Sequence, residues 1–323
     1  MRSSLRDKLK MLRSILGNTT KQIEVIKRMS GEKFIEKIYG EDAMKIFYGS
    51  AAGAAFTEKF LTNKWISNIY GAYNDSGASK HKIEEFVKSM GINVSESEKD
   101  ISEYHSFNDF FARKLHPRAR PVNRLAPGIN SPGDGRLLVF PNINDSIITY
   151  LKWAPIKLTD LFNGNESLAE RYKNGSCGIL RLCPSDYHRF HFPVSGKAGI
   201  TKSVPGLLHS VNPYALEQKI PVYCLNKRTL CELDSDNFGK VLLMEVGALF
   251  VGTIVQTYRP AMQVEKGDEK GYFKFGGSTC IFFFERGIMK FDEDLIKASE
   301  EGFETLVQVG EKIGTLIEGK VDA

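Results

Sequence analysis

From Pro127 onward the chain is a succession of short apolar runs broken by Gly, Pro and Asn: "GRLLVF", "SIITYLKW", "CGILRLC", "KVLLMEVGALFVGTIVQTY", "KFGGSTCIFFFE" and "TLVQVG". Runs of this length, rich in β-branched and aromatic side chains and bounded by turn residues, are strand signals. Their density predicts a β-rich half, mainly antiparallel. The texture before it is helical. The expected fold class is therefore α+β: an N-terminal helical region over residues 1–100, then a mainly antiparallel β-rich region over 101–323. With 42% apolar residues in 323, the chain can bury a full hydrophobic core.

The helical half opens with "MRSSLRDKLKMLRSILG". Leu5, Leu9, Leu12 and Leu16 recur at helical spacing, Arg2, Arg6, Lys8, Lys10 and Arg13 are interleaved, and Gly17 is a stop signal. A basic amphipathic helix of this kind can lie on anionic lipid or dock on its own protein, and periodicity does not separate the two. Residues 20 to 90 read as further helix. "FYGSAAGAAF" suits close helix packing, "NKWISNIYGAY" carries the interface aromatics Trp65, Tyr70 and Tyr73, and "KHKIEEFVKSMG" closes at Gly91. "NVSESEKDISEYH" reads as a linker or exposed loop. In "SFNDFFARKLHPRARPV", Ser106 and Asp109 have capping-box spacing for a short helix that Pro117 and Pro121 end.

A net charge of +5 is too small to argue for nucleic acid and is compatible with an anionic membrane surface. No apolar run reaches the roughly 18 residues of a spanning helix, and the N-terminus lacks the apolar stretch of a secretion signal. Five cysteines, an odd number with no CxxC pair, argue against a zinc site or a disulfide framework and for a reducing, cytosolic environment.

In "YFKFGGSTCIFFF" two glycines and a serine interrupt a strand pattern. Gly276 and Gly277 open backbone conformations closed to other residues. No G-x-S-x-G elbow surrounds Ser278, so an ordinary serine hydrolase is not signalled. A serine directly after glycine has another target, the carbonyl before it. Its Oγ can add there and turn the amide into an ester, given a base for the hydroxyl proton and donors for the oxyanion. "CPSDYHRFHFPVSG" places His188 and His191 three apart. A metal pair lacks obvious further ligands; buried hydrogen-bonded histidines and acid–base groups are the other readings. Asp134 in "NSPGDGRLL" fits a hairpin turn, or a carboxylate orienting a histidine. His209 and Asn212 in "LLHSVNP" could line a site or simply pack.

Taken together, "SFNDFFARKL", "SPGDG", "DYHRFHFPVSG", "LLHSVNP", "MEVGALFVGTI" and "KGYFKFGGST" resemble the phosphatidylserine decarboxylases, in order and in spacing, from about Ser106 to Glu285. The resemblance implies a self-processing proenzyme cut between Gly277 and Ser278 into chains 1–277 and 278–323. Asp134, His191 and Ser278 match the family's self-cleavage triad. Ser278 becomes an N-terminal pyruvoyl group, the covalent cofactor, and His188 matches the residue tied to decarboxylation. The pyruvoyl ketone condenses with the amine of phosphatidylserine to a Schiff base that gives up carbon dioxide, leaving phosphatidylethanolamine. The implied protein is a heterodimer of its own two chains, with further dimerisation possible. It docks through residues 1–100 as a peripheral protein on the cytoplasmic face of the cell membrane. Rival expectations are a pyruvoyl decarboxylase for a soluble amino acid, an uncut hydrolase, and a non-enzymatic membrane-binding protein.

Overall fold

The computed structural model describes residues 24–37, 64–124, 127–144, 146–147, 156–211, 221–248, 253–276 and 278–317. The basic segment at 1–17, "FYGSAAGAAF", the Trp65 side chain, Asn212 and Gly277 lie outside the described residues.

An eleven-stranded sheet forms the body. Its centre runs Arg228–Ser235, Lys240–Gly247, Ser278–Phe284, Gly175–Leu182, Gly135–Ile143, each antiparallel to the next. Side-chain alternation explains why these strands are apolar on both faces. Cys280, Phe282 and Phe284 point to one core with Leu137, Leu180, Leu182 and Leu243. Ile281 and Phe283 point to another with Leu138, Ile179, Leu242 and Met244. Ser278 heads the central strand, opposite Gly247 on one side and Leu182 on the other.

Part of the region read as helix is strand. Glu24–Lys27 and Lys33–Ile35 form a hairpin on the sheet edge, and Glu24–Lys27 runs parallel to Glu304–Val307. Val25 and Ile26 are β-branched, and Val25 is fully buried. Gly31 turns the chain at φ +69°. Pairing with an open sheet edge outweighs weak helical periodicity in so short a stretch.

The described helices that precede the β-rich region pack near the start of the central strand, around Phe275. Lys64–Asp75, Lys82–Met90 and Phe107–Phe111 are the longest of them in the N-terminal half. Gly91 closes the second at φ +66°, as its sequence predicts. Ser106 Oγ accepts from the Asp109 N–H at 3.2 Å. The Asp109 carboxylate, however, caps the N–H of His105 at 3.0 Å rather than that of Ser106. The segment at 93–105 is a largely exposed loop, as its sequence suggests, with two short 3₁₀ turns capped by Asn93 and Asp100 and with Tyr104 buried beneath it. Ile83, Phe86, Tyr104, Phe107, Phe110 and Phe111 form a third core with Phe275, two residues before the predicted cut.

Candidate active site

Ser278 and His188 are both fully buried. His188 Nδ1 lies 3.2 Å from Ser278 Oγ, and His188 Nε2 lies 3.0 Å from the carbonyl oxygen of Cys183. A carbonyl only accepts, so Nε2 carries the proton and Nδ1 offers its lone pair to the serine hydroxyl. Burial, reinforced by the charge of Arg113, pushes the imidazole down to about 3. His188 is thus a neutral ring with a fixed tautomer, and Phe111 covers its face with ring centroids 3.9 Å apart.

The first of the two glycines before Ser278 behaves as the sequence requires. Gly276 has φ +136°, which side chains rarely adopt. Just upstream, the N–H of Phe275 donates to Asn108 Oδ1 at 2.7 Å, and Asn108 Nδ2 donates to Asp75 at 2.9 Å. The "SFNDFF" helix therefore grips the segment leading into the diglycine.

His191 occupies a different place. Its Nδ1 donates to the Gly267 carbonyl at 3.0 Å, leaving Nε2 to accept from the Tyr187 hydroxyl at 3.3 Å. Burial lowers its pKa, opposed by the Gly267 carbonyl and the carboxylates of Glu269 and Asp134. Asp134 is held by the Arg120 guanidinium, whose Nη2 lies 2.6 Å from Oδ2, and by the Val309 N–H at 2.9 Å. Asp134, His191 and Ser278 therefore do not form one hydrogen-bonded relay here; the histidine on Ser278 is His188. His209 is buried, with its N–H and carbonyl both held by the Asn226 side chain at 2.8 Å.

Behind His188 lies a buried ionic cluster that the motifs did not reveal. Arg136 and Arg181 face each other across neighbouring strands. Arg181 Nε donates to Glu304 at 2.9 Å, and Arg136 is ion-paired with Asp186. Glu36 reaches both guanidiniums. A second buried pair joins Lys270 Nζ to Glu245, at 2.9 Å from Oε1. The signal was available: "GRLLVF", "CGILRLC" and "VLLMEVG" each carry one charge inside an apolar strand, where an ion stays only if paired.

Residues 107–315 match the phosphatidylserine decarboxylase family. Proteins named phosphatidylserine decarboxylase proenzyme are close in sequence. One from Clostridium perfringens is 44% identical over 292 residues, covering 90% of this chain and 99% of the relative. One from Clostridium botulinum is 45% identical over 293 residues, covering 91% and 99%. One from Clostridium beijerinckii is 45% identical over 295 residues, again covering 91% and 99%. The chain belongs to the phosphatidylserine decarboxylase family. Asp134, His188, His191 and Ser278 all fall within the segment that matches the phosphatidylserine decarboxylases, as do Phe111, Arg113 and the Arg136–Arg181 pair. Glu36 lies before it.

Proposed function

We propose that this decarboxylase cuts itself between Gly277 and Ser278, carries a pyruvoyl group at residue 278, and converts phosphatidylserine to phosphatidylethanolamine. The observation that carries the reading is the hydrogen bond between a buried serine hydroxyl and a neutral histidine, two residues after Gly276 with its positive φ. Family membership supports the substrate.

In the first reaction Ser278 Oγ adds to the Gly277 carbonyl while a base removes the hydroxyl proton. Collapse of the adduct breaks the C–N bond and leaves an ester with a free amine. Loss of the Ser278 α-proton then expels the Gly277 carboxylate. The resulting dehydroalanine tautomerises to an imine, and water releases ammonia to leave the ketone. Strand pairing to Gly247 and Leu182 supports the view that residue 278 stays in place once the bond is lost.

His188 holds the hydroxyl, but a fully buried imidazole beside Arg113 resists charge. His191, with Glu269 and Asp134 raising its basicity, is the better proton acceptor for cleavage. To act, it must exchange its bonds to Gly267 and Tyr187 for one to Ser278. His188 then handles protons at residue 278 during turnover. The pyruvoyl group supplies Schiff-base chemistry: a ketone for the substrate amine and a sink for the electrons that carbon dioxide leaves behind.

Intact-mass measurement of the purified protein tests this. Two chains, the smaller blocked by a pyruvoyl group, are expected from the wild type and one uncut, inactive chain from Ser278→Ala. His191→Ala should stay whole, while His188→Ala should split yet decarboxylate poorly. The reverse pattern gives the cleavage proton to His188. An active, unbroken wild-type chain sinks the proposal.

The substrate is a lipid, which supports a peripheral site of action on the cytoplasmic face of the cell membrane, with the two chains retained as a heterodimer. Among the described residues no helix is long and apolar enough to cross a membrane. Neutralising Arg2, Arg6, Lys8, Lys10 and Arg13 should weaken sedimentation with anionic vesicles, each charge contributing at most about 1 kcal/mol near the surface. Unchanged sedimentation removes these residues from the docking surface.

A further inference from the structure

Glu36 follows the edge hairpin and is more than nine-tenths buried. Its carboxylate lies between Arg136 and Arg181, with Oε2 2.9 Å from Arg181 Nη2 and Oε1 in an ion pair with Arg136 Nε. Burial alone would raise its pKa, but the two guanidiniums hold it below the usual range. The same Arg136 is ion-paired through Nη1 with Asp186 Oδ2. Asp186 Oδ2 accepts the Cys183 N–H at 2.7 Å. The Cys183 carbonyl accepts from His188 Nε2, and His188 Nδ1 meets Ser278 Oγ. The backbone next to Glu36 also touches this turn: the Lys37 carbonyl lies 3.9 Å from Cys183 Sγ.

We propose that Glu36 is a positioning residue for the chemistry at residue 278, acting through Arg136, Asp186 and the Cys183 carbonyl to fix the tautomer and aim of His188. The inference rests on the pyruvoyl reading above. Its consequence is that the edge hairpin, far from residue 278 in sequence, completes the reaction centre. Without the Glu36 carboxylate, Arg136 and Arg181 confront each other across the ladder with one fewer anion between them. Arg136 can then shift towards Glu304, and the turn from Cys183 to Asp186 loses its anchor. A misplacement of His188 on the scale of 1 Å is enough to cost roughly a hundredfold in rate.

The test is turnover per pyruvoyl group in Glu36→Gln, with pyruvoyl content determined by mass spectrometry and phosphatidylserine presented in mixed micelles. We expect kcat per pyruvoyl to fall about tenfold or more with KM unchanged, and Glu36→Asp to recover part of the loss. A folded Glu36→Gln chain that fails to split overturns the inference, because loss of His188 itself is expected to leave splitting intact. Arg28→Ala is the control. Arg28 ties the same hairpin to Asp292 and Asp294 at 2.8 and 2.7 Å and, among the described residues, has no bond to the Arg136 cluster. It should lower thermal stability while leaving splitting and kcat per pyruvoyl unchanged.

Wild-type splitting and turnover in Glu36→Gln overturn the inference and leave the pyruvoyl reading standing. So does an Arg28→Ala enzyme as impaired per pyruvoyl as Glu36→Gln, because docking of the hairpin and not the carboxylate is then responsible. If Glu36→Gln does not fold, wild-type values in Glu36→Asp overturn it, since that carboxylate is one methylene too short to bridge both guanidiniums. A wild-type chain that never splits removes the reading itself, and the inference with it.

Discussion

The ring of Phe111 stacks on His188 at an interplanar angle of 25°. The contact joins the short "SFNDFF" helix to the reaction centre and seals His188 from water. Phe111→Ala opens a cavity in the third core at a cost of about 3–5 kcal/mol. It also admits water to the imidazole, so its pKa should climb back towards the ordinary histidine value. NMR titration of His188 in the folded variant measures this. An unmoved titration would show that Phe111 packs without controlling solvation.

Acid stability should carry the signature of His188. Its folded pKa of about 3 lies below the ordinary 6.5, so the unfolded chain takes up the proton first. The stability contribution is therefore intact above about 6.5 and lost progressively as pH falls towards about 3. His191, lowered by burial, adds in the same sense, whereas Asp186, raised by burial, opposes it. His188→Gln should flatten the fall of Tm with acidification. Superimposable Tm–pH curves for the variant and the wild type would contradict the assignment.

The β-rich half was legible because its core strands are buried on both faces: "STCIFFF" and "CGILRLC" read as mainly apolar runs between turn residues. Ser278 was legible because the diglycine is a local backbone signal. The pairing of His188 with Ser278 was not, since spacing places both histidines near each other but does not say which nitrogen meets the hydroxyl. The edge hairpin was missed for a related reason. "EVIK" and "KFI" carry too few residues to show a period, and only the distant strand Glu304–Val307 makes them strands. Glu36 inherits that difficulty: nothing local marks a carboxylate that serves arginines 100 and 145 residues further along (136 − 36 and 181 − 36).

Gly276 should resist substitution. At φ +136° an added side chain is strained whatever space surrounds it, and the strain costs of order 1–3 kcal/mol. Gly276→Ala should relieve it by moving the peptide that precedes Ser278, so that the purified variant accumulates as uncut chain. A time course of chain separation on gels reads the effect. Wild-type kinetics would mean that this conformation does not set up the attack.

Asn108 offers the sharpest separation of positioning from stability. Its Oδ1 accepts from the Phe275 N–H and its Nδ2 donates to Asp75, which in turn pairs with Lys274 at 2.8 Å. Two side chains on the helical side thus hold the two residues that lead into the diglycine. Asn108→Asp keeps the acceptor for Phe275 but sets a second carboxylate against Asp75; Asn108→Ala removes both bonds and leaves a buried N–H unsatisfied, at about 1–3 kcal/mol. If the Phe275 bond fixes the segment for attack, Asn108→Ala should split more slowly than Asn108→Asp, even when the two are matched in Tm by choice of temperature. Equal splitting rates at matched Tm would assign Asn108 to packing alone.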